Sequence, residues 1–231
     1  MLIPFGEYDS IFFILVLAVF ALSMVAQGRV ARVFARYAKQ PAAGGKSGGQ
    51  VAKEILARSG SAVQVQGVHG HLTDHYNPRT HIVGLSQEVF NSASVSAVAI
   101  AAHEVGHVLQ YEEDYLPIKI RGTLLPVAQV GSQAGPFLVL FGLILGWSPV
   151  FALIGVALYT FAVLFQLFTL PVELNASRRA LELLVDGGYI TPEQSPEAKK
   201  MLSAAATTYI LAAVASFVTL LRLLMLSRRR R

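Results

Sequence analysis

Residues 103–107 read His-Glu-Val-Gly-His, inside the stretch AVAIAAHEVGHVLQYEED that runs from Ala97 to Asp114. On an α-helix, side chains four positions apart share a face, so His103 and His107 can offer two imidazole nitrogens to one metal ion. Glu104, beside the first of them, is placed to take a proton from the water that attacks a substrate. The apolar flanks describe a helix packed in a core and starting near Ser92 or Ser94. With six histidines in the chain, this spacing arises by accident on the order of one per cent of the time. The plainer reading of the same residues is a buried helix whose histidines hydrogen-bond to neighbours.

The chain has no cysteine, which excludes disulfides, thiolate zinc sites and cysteine nucleophiles. Any ion is therefore held by His and carboxylate, and a single Zn²⁺ is the ion such ligands most often take. A catalytic zinc keeps three protein ligands and one open position. Glu173, in LPVELNASRRA, is the candidate for the third, because it follows directly on the apolar run Pro149–Leu170. A charge at that place is costly without a partner. The competing assignment pairs Glu173 with Arg178 or Arg179.

These residues sit in an unusual chain. Of its 231 residues, 54% are hydrophobic and only 14% charged, against about a quarter charged in ordinary soluble domains. Four windows, Ser10–Gln27, Leu124–Trp147, Pro149–Leu170 and Ala204–Leu221, each approach the roughly 20 residues a helix needs to cross a bilayer. Their polar members are few, chiefly Gln129, Ser132, Gln133 and Gln166. No basic residue precedes the first window and a basic cluster follows it, the reverse of a signal peptide, so it reads as a retained anchor. The net charge of +5 lies beside the apolar runs, as for a chain oriented in a membrane, and is no nucleic-acid signal. Arg29, Arg32, Arg36 and Lys39 follow the first span, Lys119 and Arg121 precede the second, and Arg178 and Arg179 follow the third. The expectation is a multi-pass protein of the cell membrane with its N-terminus outside and its zinc site on the cytoplasmic side. Arg228–Arg231 at the far end runs against that rule if the last helix crosses fully. Between His107 and Glu173 the chain then crosses twice and returns to the same face.

The expected fold is a mainly α membrane protein with a small α+β zinc-peptidase unit. Five segments are expected: an anchor at 1–27, a cytoplasmic α+β unit at 28–122, a transmembrane hairpin at 123–171, a third-ligand helix and loop at 172–203, and a membrane helix with basic tail at 204–231. Within the second, Ser47 can cap a short helix, Gly49–Ser59, stopped by Gly60. GGKSG lacks the spacing of a phosphate loop, since Gln40 stands where the first glycine is needed. AVQVQGVHG and THIVGLS alternate like strands around a turn at Asn77-Pro78.

HEVGH, preceded by DHYNPRTHIVGLS and followed by a membrane hairpin and PVELNASRRA, resembles the YugP family of membrane zinc metallopeptidases. More distantly the chain is similar to the HtpX and CAAX-processing membrane proteases. The resemblance implies a gluzincin-like unit with His103, His107 and Glu173 as zinc ligands, Glu104 as general base and acid, and peptide-bond hydrolysis. It also implies that THIVGLS is the exposed edge on which an extended substrate pairs. One departure stands out: the HtpX-type pattern E-x-x-A-D is matched by Glu173 and Ala176, but Ser177 occupies the Asp position. Support for the histidines must then come from elsewhere, with Asn175 a candidate.

Tyr209 and His75 are further candidates to stabilise the transition state, against the plainer roles of interfacial anchor and structural turn histidine. His69, His71 and His81 read as solvated or structural, and Arg178 or Arg179 could meet a substrate carboxylate. The expected partners are the lipid bilayer and a membrane protein or peptide substrate, with no nucleic acid and no regulatory partner specified. The alternative is a non-catalytic membrane adaptor that keeps a closed, structural metal site, for which His75 could be a fourth ligand. A transporter is disfavoured because the spans carry no charge before Arg222.

Overall fold

The computed structural model describes residues 7–144 and 149–228. The first six residues of the expected anchor, the end of the second apolar window and the basic tail at 229–231 lie outside them. Among the described residues, four helices are long and apolar enough to cross a membrane: α1 (Glu7–Tyr37), α5 (Leu116–Ile144), α6 (Pro149–Asp186) and α7 (Ser195–Arg228). Each outruns the apolar window that announced it, because the flanking Arg, Lys, Glu and Ala are themselves good helix formers. The third-ligand helix expected within 172–203 is the last part of α6, which continues through Pro171. Pro196, expected in a loop, sits in the first turn of α7, where a missing N–H costs nothing.

The chain forms two compact units. One is apolar and takes in the chain up to Ala26, Lys119–Leu170 and the chain from Thr208. Inside it α5 and α6 pack through glycine. A Cβ added at Gly135 would lie 2.8 Å from Gly155 O, and one added at Gly131 would strike Leu158 O. Small residues let membrane helices approach this closely, where lipid offers no hydrophobic drive for association. Val139, Val156, Val163 and Leu220 fill the core of this unit.

The second unit is Gln27–Ile118 with Pro171–Thr207. Its core is built on α4 (Val95–Glu112) and α2 (Gly48–Arg58), with Val51, Ile55, Val98, Val105 and Leu184 buried in it. Ser47 caps α2 in a reciprocal box with Gln50, and Gly60 ends the turn at φ +72°. The GGKSG stretch is thus consumed by a cap, while Lys46 pairs with Glu54 at 2.6 Å. Ser94 caps α4, accepting from Ala97 N at 3.3 Å, one of the two starts read from the sequence.

Three short strands, β1 (Gln64–Val68), β2 (His75–Asn77) and β3 (Ile82–Ser86), form a sheet in the order β1-β3-β2. β3 runs parallel to β1 and antiparallel to β2. This corrects the expectation that THIVGLS is an exposed edge: it is the central strand, hydrogen-bonded on both sides, and its residues 83–86 are buried. The short β3 is followed by one turn of helix, α3 (Gln87–Phe90), which leads into α4.

The contact that brings α4 to α6 depends on Gly106, the glycine of the HEVGH motif. A Cβ there would lie 2.8 Å from Ala176 O and 3.2 Å from Ala176 Cα. Glycine costs a helix interior about 1 kcal/mol relative to alanine, so its presence marks a packing need. Replacing it by valine forces the helices apart, with an overpacking cost of about 1–3 kcal/mol. Gly106→Val is therefore expected to lower zinc affinity although it alters no candidate ligand. Isothermal titration of the zinc-stripped protein checks this, and an unchanged affinity would refute the close-approach account.

Candidate metal centre

α4 carries His103, Glu104 and His107, and the α6 segment in the same unit carries Glu173. The ligand atoms of His103, His107 and Glu173 all lie within 4.8 Å of one another. Glu173 Oε2 is 3.2 Å from His103 Nε2 and 3.5 Å from His107 Nε2. Glu173 is only 2% exposed and His107 9%. The competing partners of Glu173 are engaged elsewhere: Arg178 pairs with Glu182 at 3.0 Å and Arg179 with Glu113 at 2.7 Å.

The hydrogen bonds behind the histidines decide which nitrogen faces the centre. Gln110, fully buried, donates from Nε2 to Val172 O at 2.8 Å and to Asn175 Oδ1 at 2.9 Å. A backbone carbonyl can only accept, so the Gln110 amide orientation is determined and its Oε1 faces His107 Nδ1 at 3.0 Å. The His107 proton therefore sits on Nδ1, leaving the Nε2 lone pair aimed at the centre. Arg179 Nε, which can only donate, holds Asn175 Oδ1 at 2.8 Å. On the other histidine, the Ser177 hydroxyl lies 3.2 Å from His103 Nδ1.

These contacts amend the sequence reading. Ser177 itself reaches His103, so the residue that breaks the E-x-x-A-D pattern still occupies the orienting position. Asn175 touches Gln110 and not a histidine. Gln110 was missed, although a polar residue three positions after His107 in an apolar helix lies on the same face. His75 stands on β2 outside the cluster, its Nδ1 donating to Thr73 O at 2.8 Å. Tyr209 lies on α7 in the apolar unit. His71 pairs with Glu88 and stands edge-on to Phe34.

Glu104 is 8% exposed and close enough to Asp74 for their charges to interact. Burial raises the Asp74 pKa, and the Glu104 charge adds to that, while hydrogen bonds from Ser86 N and Oγ oppose it. Burial disfavours the charged ring of His107, yet hydrogen bonding and charge from Glu173, with the charge of Glu104, outweigh it and raise the pKa above 6.5. Two imidazole nitrogens and a carboxylate converging in a buried space thus call for a positive charge between them. Nitrogen and oxygen donors in this number fit zinc.

The family described as "putative neutral zinc metallopeptidase" matches residues 12–228, and the chain belongs to that family. Among curated proteins, the "Putative membrane protease YugP" of Bacillus subtilis (strain 168) is 42% identical over 217 residues, spanning 94% of this chain and 96% of that protein. No solved structure matches. With four apolar helices of spanning length, the chain is a mainly α membrane protein with a small α+β unit.

Two measurements follow from this geometry. Gln110→Leu removes the group that orients His107 and should weaken zinc binding by about 10–100-fold, read by competition with a chromogenic chelator; wild-type affinity would refute the orienting role. In the zinc-stripped protein the raised His107 pKa stabilises the fold fully below the unfolded value of about 6.5, and this is lost as pH rises through the folded value. The thermal midpoint of the stripped protein should therefore fall over that rise, and Gln should abolish the dependence at position 107.

Proposed function

We propose that the protein is a membrane-embedded, zinc-dependent endopeptidase that hydrolyses peptide bonds in membrane-associated proteins or peptides at the membrane surface. The observation that carries this is the convergence of His103 Nε2, His107 Nε2 and Glu173 Oε2 with Glu104 beside them on α4. Bound there, one zinc ion supplies a Lewis acid that polarises a carbonyl and makes water nucleophilic near neutral pH.

The chain's own residues do the rest. His103, His107 and Glu173 hold the ion, and Gln110 and Ser177 keep the two rings in register. The Glu104 carboxylate accepts a proton from the attacking water and passes it to the nitrogen of the leaving amine. Its low exposure keeps bulk water from competing for that proton. An extended substrate adds a strand to the sheet, and since β3 is central, β2 is the outer strand that packs against α4. Among the described residues the cluster holds three ligating groups, which favours an open catalytic position over the closed site of a structural adaptor. The basic residues flanking the helices favour a multi-pass topology with the site facing the cytoplasm.

Glu104→Gln should retain stoichiometric zinc and lose cleavage by several orders of magnitude; retained cleavage would sink the mechanism. Glu173→Ala should lose zinc. Emission spectrometry on the purified protein, run beside an assay on a membrane-anchored reporter, reads both. Full zinc in the alanine variant would mean that another residue is the third ligand.

A further inference from the structure

A groove of about 260 Å³ lies between α6 and α7 within the same unit as the metal centre. On α6 it is lined by Leu174, Ser177, Arg178 and Leu181, which at spacings of three and four form one helix face. From α7 come Lys199, Leu202 and Ala206. Ser177 belongs to both features, since its hydroxyl lies 3.2 Å from His103 Nδ1, and Leu174 directly follows Glu173 in the chain. The walls are mostly aliphatic and the charged members are cationic. Arg178 is tied to Glu182 at 3.0 Å in an exposed pair, a contact of little energetic weight. Lys199, exposed, has no acidic partner among the described residues.

We propose that this groove is a substrate subsite that takes one large aliphatic or aromatic side chain with an acidic residue next to it. The proposal rests on the peptidase reading and adds its specificity. The size supports a peptide: at about 260 Å³ the volume falls below the roughly 300 Å³ at which small-molecule pockets begin, the scale of one or two side chains. The position supports it too, because the groove shares a residue with the histidine support. Its surplus cation matches an acidic neighbour, and its leucines match the apolar anchor.

The test uses the full chain in detergent micelles with a peptide library of mixed sequence, cleavage sites being read by mass spectrometry. Wild type is expected to prefer a large apolar residue adjacent to Asp or Glu, by about tenfold over small or basic residues at those places. Lys199→Glu should abolish or reverse the acidic preference, and Ala206→Phe, which narrows the groove, should shift the apolar preference to small residues. Zinc content of each variant reports an intact centre. A cleavage profile unchanged in both variants overturns the subsite. So does Lys199-dependent binding of phosphatidylglycerol vesicles with an unchanged profile, which would make the groove a lipid site. Absence of any Glu104-dependent cleavage by wild type is a different failure: it defeats the peptidase reading and the subsite with it.

Discussion

Glu173 is a carboxylate with almost no access to water, and its burial has to be offset by positive charge. An isolated buried carboxylate is far too costly to persist, and the arginines nearest in sequence are committed to Glu182 and Glu113. The imidazoles of His103 and His107 reach it, at 3.2 and 3.5 Å. They come from α4, whose backbone approaches α6 closely enough because Gly106 has no side chain to hold it off. The centre is therefore also a joint between two helices, and the packing of the unit and the placement of its chemistry have one origin.

The hydrogen bonds around the joint have a direction. Arg179 and the Val172 carbonyl are groups with one role each, donor and acceptor, and between them they determine how Asn175 and Gln110 lie. That order reaches His107 as a proton held on Nδ1 and a lone pair facing Glu173. Such polarity is worth more in a buried network than the count of bonds implies, since a reversed amide would leave several groups unsatisfied at once. The salt bridge from Arg179 to Glu113 anchors the chain of bonds to the end of α4, so the helix that bears the histidines also braces them. Ser177 acts on His103 by one hydroxyl contact at 3.2 Å.

Much of this was legible in the sequence where the cause is local. Ser94 and Ser47 announce helix starts because capping needs only a side chain and the next three residues. Glu173 was singled out from the cost of a charge after a long apolar run, an argument that needs no knowledge of its partner. Strand order was not legible, because alternation reveals an extended segment, realised over 82–86, but not which strands flank it. The parallel pairing of β1 with β3 is a long-range choice, and it turned the expected edge into the centre. The role of Gln110 was hidden for the same reason: its position on the helix face was visible, but its acceptors, Val172 and Asn175, lie more than sixty residues away. The helices were longer than their apolar windows because charge stops a membrane span without stopping a helix.

The central claim is that one ion is held by two imidazoles and one carboxylate from α4 and α6, and X-ray absorption at the zinc edge of the purified protein tests it most directly. The account predicts light-atom scatterers at about 2.0–2.2 Å, with the outer-shell pattern of two histidine rings, reduced to one ring in His107→Gln. A spectrum with no imidazole pattern, or one left unchanged by that substitution, would contradict it.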